Sequence, residues 1–483
     1  MCLWIQRIKN ARKCKPILAC QGASVEIVVS TMLPDIQTEI PGPKSQALAA
    51  RLRAHECRSV TFINEDFPVF WQKAEGTNVW DADGNRYLDF TSAFGVTGLG
   101  HSPPEVVSAL RQQAGQLLHG MGDVHPTELK VSLCEKISQV TFERWGCGGA
   151  KSILGNTGFE AVEAALKTAL LATGKPGVMT FENAYHGLGY GTLAAGAMDR
   201  FRKPFLSQLP DFGQSLPFPE CTCDAPRQCT SDCLSQLATL ERVLREKIQH
   251  SPVGAVLVEP IQGRGGKVVP SSGFLPMLRK VCDDTGTLLI LDEILTGLNR
   301  CGHLFACEAS GTVPDLICLG KSLGSGLPLS ACVGTAALMD HAWPASDGEA
   351  IHTTTHLGNP LACAMALAAL GLHSEPAVAT LVCEQGKRLK DLLEKIALPT
   401  RGRVKGRGLL MGVEILTKEG KADRQASADF VVHSLKRGLI VLTDSPAGNV
   451  ISLVPPFGIA ANEMACLADC LQEYLTSLPG SIS

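Results

Sequence analysis

The chain has 483 residues, 45% hydrophobic and 19% charged, a balance that excludes a disordered or fibrous protein and suits one large domain plus a smaller one. Its 44 basic residues against 47 acidic ones leave a net charge of −3, which indicates neither a nucleic-acid partner nor a solvated acidic tail. The 19 cysteines are odd in number and scattered through apolar segments (Cys282, Cys318, Cys332, Cys363), so they read as small hydrophobes in a reducing compartment, not as a secreted disulfide framework.

No apolar run approaches the roughly 20 residues of a membrane helix, so a soluble, cytoplasmic protein with no membrane partner is expected. Residues 1–25 carry Arg7, Lys9, Arg12, Lys13 and Lys15, with no acid before Glu26. Two readings stand: an organellar transit segment, or a stretch upstream of a true start at Met32. With Pro34, Pro41 and Pro43 extending the chain, residues 1–44 are expected to lie outside the fold, which begins near Ser45.

Residues 45–95 are assigned to the first part of a small domain. There VWDADGNRYLDF (79–90) places Asp83-Gly84-Asn85 between apolar runs and predicts a β-hairpin. Residues 96–360 form the large domain. Its runs GAVLVEP (254–260), TLLILDE (287–293) and LICLGK (316–321) are apolar almost throughout and end in polar residues. Strands buried on both faces read that way, which predicts an α/β fold with a mostly parallel sheet flanked by helices. Function in such sheets sits at the carboxyl ends of strands, where Glu259, Asp292 and Lys321 all fall.

Residues 206–235 are a Pro- and Cys-rich interruption, read as a surface insertion. Cys221, Cys223, Cys229 and Cys233 could in number furnish four thiolates for zinc, but neither pair has C-x2-C spacing and no His lies nearby, so no metal is assigned. Residues 361–483 complete the smaller α+β domain: an Ala-rich helix (361–372), strands at 408–416 and 438–443, and helices near 425–437 and 461–477.

Four features carry chemistry. In GNTGFEAVEAALKTALLATG (155–174) a Gly-rich turn opens an amphipathic helix, whose unpaired N–H groups make a phosphate seat, although any capped helix looks similar. Tyr185 in NAYHG (183–187) offers a ring to cover a planar ligand, or equally a core aromatic. Asp292 ends a buried strand and needs a cationic partner. Lys321 sits between a buried strand and a glycine loop, a setting that lowers an amine's pKa and readies it as a nucleophile. Together the four describe pyridoxal 5′-phosphate.

The chain resembles the class III aminotransferases of fold type I, the ornithine, acetylornithine and 4-aminobutyrate group, over roughly residues 67–475. Nine segments in family order carry the likeness: DADGNRYLDF (81–90), LGHSPPEV (99–106), NTGFEA (156–161), AYHG (184–187), VEPIQGRGG (258–266), LDEILTG (291–297), LGKSLGSGLP (319–328), THLGNPLACA (355–364) and VPPFGI (454–459). The resemblance implies the aspartate-aminotransferase-like architecture, with a seven-stranded-type sheet in the large domain and a small domain built from both chain ends. It implies a Lys321 Schiff base with the cofactor and an Asp292 partner for its ring nitrogen. Thr157, Gly158 and Phe159 would hold the phosphate, Tyr185 would stack on the ring with His186 beside it, and Glu259 would support Asp292. Thr355 would reach the phosphate of a neighbouring subunit, implying a homodimer with shared sites. The implied reaction moves an amino group from an ω-amino acid or small amine to an oxo acid such as 2-oxoglutarate or pyruvate.

Three positions depart from the family and bear on substrate. Leu295 stands where many members carry Gln, and resembles the apolar residue found there in glutamate-1-semialdehyde aminomutase-like members. Arg264 stands where ornithine-type enzymes have Glu. Ser452 stands where they have the Arg that clamps a carboxylate. Arg264 could itself grip a carboxylate, or pair with another acid. An aminomutase, epimerase or amine lyase of the same family is the alternative reading. Phe159 is also bulkier than the usual residue of the phosphate turn.

Overall fold

In the computed structural model, which describes residues 32–221, 230–396 and 401–478, the three doubly apolar runs become neighbouring parallel strands, buried from end to end. They belong to a seven-stranded sheet of β1 (Ala150–Gly155), β2 (Gly177–Phe181), β3 (Gly213–Leu216), β4 (Val253–Val258), β5 (Leu288–Asp292), β6 (Leu316–Leu319) and β7 (Ser330–Thr335), in the order β1-β7-β6-β5-β4-β2-β3. All pairs are parallel except those of β7, which runs antiparallel to β6 and β1.

Side-chain alternation sends two sets of residues to two cores. Val256, Val258, Leu289, Leu291, Ile317 and Leu319 meet Leu240 and Leu244 of the helix Ser231–His250 and Leu278 and Val281 of the helix Phe274–Thr285. Ala255, Leu257, Ile290, Leu316 and Cys318 meet Ala161, Val162, Ala165 and Ala169 of helix α1 (Gly158–Thr173) on the opposite face. Small residues on α1 let it approach the sheet closely. Cys282, Cys318, Cys332 and Cys363 are buried free thiols, as expected.

This unit spans Glu105–Ala379. The helix Pro360–His373, assigned from sequence to the smaller domain, belongs here instead. Asn359 caps it by accepting the Leu361 and Ala362 N–H groups, and Ala362, Cys363, Ala366 and Leu370 enter the same core as Leu133 and Ile137 of the helix Glu128–Ser138. Nor is the interruption at 206–235 a mere insertion, because Gly213–Leu216 supplies the edge strand β3. Of its four cysteines, Cys223 and Cys229 lie outside the described residues.

The other unit takes both flanks, up to Pro104 and from Thr380. The predicted hairpin is present: Asn78–Asp81 pairs antiparallel with Arg86–Asp89, with Gly84 at φ +92° in the turn. Residues 32–44, expected to lie outside the fold, are instead tied to this hairpin. Asp35 exchanges backbone bonds with Arg86, Asn85 Oδ1 accepts from the Gln37 (2.7 Å) and Thr38 (3.0 Å) N–H groups, and Ile40 packs with Tyr87 and Leu435. Prolines kept the segment extended, and extended backbone is what such pairing needs. The run 438–443 divides at Val441: Leu439–Ile440 pairs parallel with Leu88–Asp89, whereas Leu442–Asp444 joins a second sheet with Gly402–Arg407, Leu410–Ile415 and Val450–Leu453. No single helix among the described residues is long and apolar enough to cross a membrane. The calls on residues 1–31 lie outside the described residues.

Candidate active site

Five elements end at one edge of the large sheet. β1 delivers the Gly-rich turn and the N-terminus of α1, β2 leads to Tyr185 and His186, β4 to Glu259, β5 ends on Asp292, and β6 leads to Lys321. Their strands share one direction, so their carboxyl ends converge, as open parallel sheets require of a binding crevice. A cavity of about 390 Å³ opens there, lined by Gly158, Phe159, Tyr185, His186, Glu259, Arg264, Asp292 and Lys321 among others.

The turn before α1 is shaped by Glu160, whose carboxylate accepts the N–H groups of Asn156 and Thr157. Gly158 then brings the helix start against Ile294, where an added Cβ would sit 3.1 Å from two Ile294 carbons. The first-turn N–H groups of an α-helix lack intrahelical partners and concentrate partial positive charge, so this end favours an anion. Phe159 is accommodated by glycine across from it: a Cβ at Gly187, itself at φ +111°, would lie 2.4 Å from Phe159 Cβ.

Asp292 is almost enclosed and shares its carboxylate between His186 Nδ1, 2.8 Å from Oδ2, and the Ile294 N–H, 3.1 Å from Oδ1. Burial of His186 disfavours its cation, but the hydrogen bond and charge of Asp292, with Glu259 behind, raise the imidazole above its ordinary pKa. Glu259 accepts from the Tyr185 N–H (3.1 Å) and the Gly263 N–H (2.9 Å), so it pins two loops to one strand end. Its burial pushes its own pKa up.

Lys321 opens a short turn at φ +44°, a left-handed conformation that is unusual outside glycine and is typically retained at functional positions. Desolvation holds its amine below the ordinary lysine value, against the opposing pull of Asp292 and Glu259, and Lys267 and Arg264 push it further down. Lys267 was not singled out from sequence. It is 1% exposed at φ +57°, and its Nζ donates to the Gly263 carbonyl at 3.2 Å. A lysine two residues past a Gly-Arg-Gly run gives no periodic signal that it is buried.

The arrangement fits pyridoxal 5′-phosphate. A helix N-terminus, a buried carboxylate and an amine of lowered pKa face one hollow of suitable size, and His186 Nε2 is a buried polar atom with no hydrogen-bond partner among the described residues. Of the residues expected from sequence, Gly158, Phe159, Tyr185, His186, Glu259, Arg264, Asp292 and Lys321 come together. Thr157 is exposed at the helix cap, and Thr355 is exposed in the turn before Asn359; neither lines the cavity. Ser452 belongs to the other unit, buried on the strand Val450–Leu453 opposite Gly412 and Leu442. Leu295 and Ile294 complete the apolar wall.

Comparison with known proteins bears on the same site. The family profile described as aminotransferase class-III matches residues 62–475. The 4-aminobutyrate aminotransferase of Mycobacterium leprae is 36% identical over 451 residues, covering 91% of this chain and 97% of its own length. The 5-aminovalerate aminotransferase of Pseudomonas aeruginosa is 34% identical, covering 89% of this chain and 99% of its own. Among solved structures, an amine transaminase from an uncultivated Pseudomonas species, in a PLP-bound form, superimposes with a TM-score of 0.78 at 25% identity, over 87% of this chain and 98% of that one.

Proposed function

The chain belongs to the class-III aminotransferases, and we propose that it transfers an amino group from an ω-amino acid to an oxo acid, with 2-oxoglutarate or pyruvate as acceptor. The single observation that carries this reading is the convergence of Lys321, Asp292 and the N-terminus of α1 on one cavity. The likeness to relatives named for 4-aminobutyrate and 5-aminovalerate supports the donor class.

Pyridoxal 5′-phosphate, when bound, supplies an aldehyde that condenses with amines and a ring that withdraws electrons from the substrate carbon. The N–H groups of Gly158 and Phe159 would hold its phosphate, and the Asp292 carboxylate its ring nitrogen. His186 keeps Asp292 oriented by the 2.8 Å bond, and Glu259 keeps the Tyr185 loop in register. Lys321 Nζ, kept readily deprotonated by desolvation, takes up the proton of the substrate carbon and later returns one. Leu295 and Ile294 give the cavity an apolar wall, which limits water around that amine.

We further place Thr355 at the phosphate of a second copy in a homodimer; its exposure on the turn before Asn359 supports this. The free state of every cysteine among the described residues supports a reducing, cytoplasmic setting.

A donor screen tests the reaction. 4-Aminobutyrate and 5-aminovalerate should yield glutamate from 2-oxoglutarate or alanine from pyruvate. Leu295 in the wall favours the aminomutase or lyase reading; ammonia release or isomerised product without any acceptor would establish that alternative and overturn the transfer.

A further inference from the structure

Tyr185 and Arg264 line the cavity, and a third side chain, Phe201, packs against both of them without lining it. The Tyr185 and Phe201 rings meet edge to face, with centroids 5.6 Å apart and planes at 65°. The Arg264 guanidinium lies 4.8 Å from the Tyr185 centroid and 5.3 Å from that of Phe201. Each member of the triangle therefore touches the other two. Aromatic pairs favour this tilted arrangement because the positive edge of one ring meets the negative face of the other, and a guanidinium is drawn to the same faces.

The main chains beneath these side chains are held separately. Glu259 accepts the Tyr185 N–H at 3.1 Å and the Gly263 N–H at 2.9 Å, which fixes the two loops that carry Tyr185 and Arg264. Phe201 comes from the short helix Asp199–Arg202, on a segment bonded to the residue before Tyr185. There the Ala197 N–H donates to the Ala184 carbonyl at 3.2 Å, and the Phe201 N–H to the Met198 carbonyl at 3.1 Å. Backbone anchors leave side-chain torsions open. The χ2 torsion of tyrosine is broad, so neighbours decide the plane of the ring more than rotamer preference does. Tyr185 is only half-buried, so close packing on every side does not decide it either.

We propose that Phe201 is a positioning residue: through its contacts with Tyr185 and Arg264 it fixes the plane in which the Tyr185 ring faces the cavity, and with it the seating of the cofactor ring that Tyr185 covers. The proposal rests on the reading of the cavity as the site of pyridoxal 5′-phosphate. It gives the role to a side chain outside the cavity wall, carried on the segment between β2 and β3.

The experiment uses the cofactor-loaded enzyme and reads the cofactor, not turnover. Phe201→Leu keeps apolar bulk and removes the ring. It should release pyridoxal 5′-phosphate about 3- to 10-fold faster than wild type, the factor expected for one aromatic contact with a neighbouring cation. It should also reduce the circular dichroism of the cofactor's absorption band per molecule bound. Phe201→Tyr restores a ring and should restore both values, and Phe201→Met replaces Phe201→Leu if the latter melts early. In a Tyr185→Leu background the effect of Phe201→Leu on release should largely vanish, because the ring through which it acts is gone. Wild-type release and dichroism in Phe201→Leu, or a release effect of equal size with and without the Tyr185 ring, would assign Phe201 to stability alone and overturn the proposal. A wild-type chain that takes up no cofactor would overturn the reading of the cavity and this role with it.

Discussion

His186 Nδ1 lies 2.8 Å from Asp292 Oδ2, with 0% and 5% of the two side chains exposed. A carboxylate so enclosed needs a partner, and here the partner is an imidazole whose proton the carboxylate stabilises. The pairing thus fixes both the direction and the charge of the acid that meets the cofactor ring.

Because the folded-state pKa of His186 is raised above its ordinary 6.5, its charge contributes stability in full below about pH 6.5 and loses it as pH climbs through the raised value. Replacement by leucine leaves Asp292 with the Ile294 N–H but without its imidazole partner, at a cost of about 3 kcal/mol. Denaturant melts of wild type and His186→Leu from pH 5.5 to 9 should show the gap narrowing toward alkaline pH. A gap independent of pH would mean that folding does not shift the imidazole's titration.

Lys321→Ala should fold and melt like wild type yet lose turnover by at least the roughly 10²–10⁴-fold that positioned proton transfer supplies. Asp292→Asn keeps the shape but not the charge, and should slow the amino-donor half-reaction by about 10²–10³-fold. Single-turnover absorbance of the loaded enzyme reads both, and near-normal rates in either variant would remove that residue from the mechanism.

Lys267→Met removes the Gly263 tether and a positive charge that holds the Lys321 pKa down. The acidic limb of the kcat/KM profile should therefore move to higher pH. Loss of the hydrogen bond to Gly263 should raise the KM for substrate about fivefold through the loosened turn, with kcat little changed. A purely structural lysine would lower Tm without moving the profile.

Gly187→Ala combines strain at φ +111° with a collision against Phe159, and should cost roughly 2–5 kcal/mol. Adding Phe159→Gly, which removes the Cβ that the new methyl meets, should return the collision part only, a non-additivity that a double-mutant cycle measured by urea melts resolves. Full additivity would show that the two residues do not meet.

The strands that end on Glu259, Asp292 and Lys321 were legible because doubly buried parallel strands leave continuous apolar runs with polar ends. The convergence of their carboxyl ends was legible for the same reason. Three things were hidden. Residues 32–44 bond through backbone groups, which leave no trace in side-chain pattern. The helix Pro360–His373 is apolar nearly all round, so composition could not say which core it enters. The His186–Asp292 pair spans residues far apart in the chain, and spacing alone cannot place an imidazole behind a carboxylate. Phe159 read as an intrusion into the phosphate turn, whereas Gly187 had already vacated the space.

The hairpin of residues 78–89 ends on a strand whose parallel neighbour, Leu439–Ile440, is translated only after the entire seven-stranded sheet. During synthesis that edge leaves the ribosome uncovered and stays so while the intervening sheet assembles. Nascent chains stopped after Ala379 should therefore recruit chaperones or clump, and release of the final hundred or so residues is the moment at which the exposed edge is sealed.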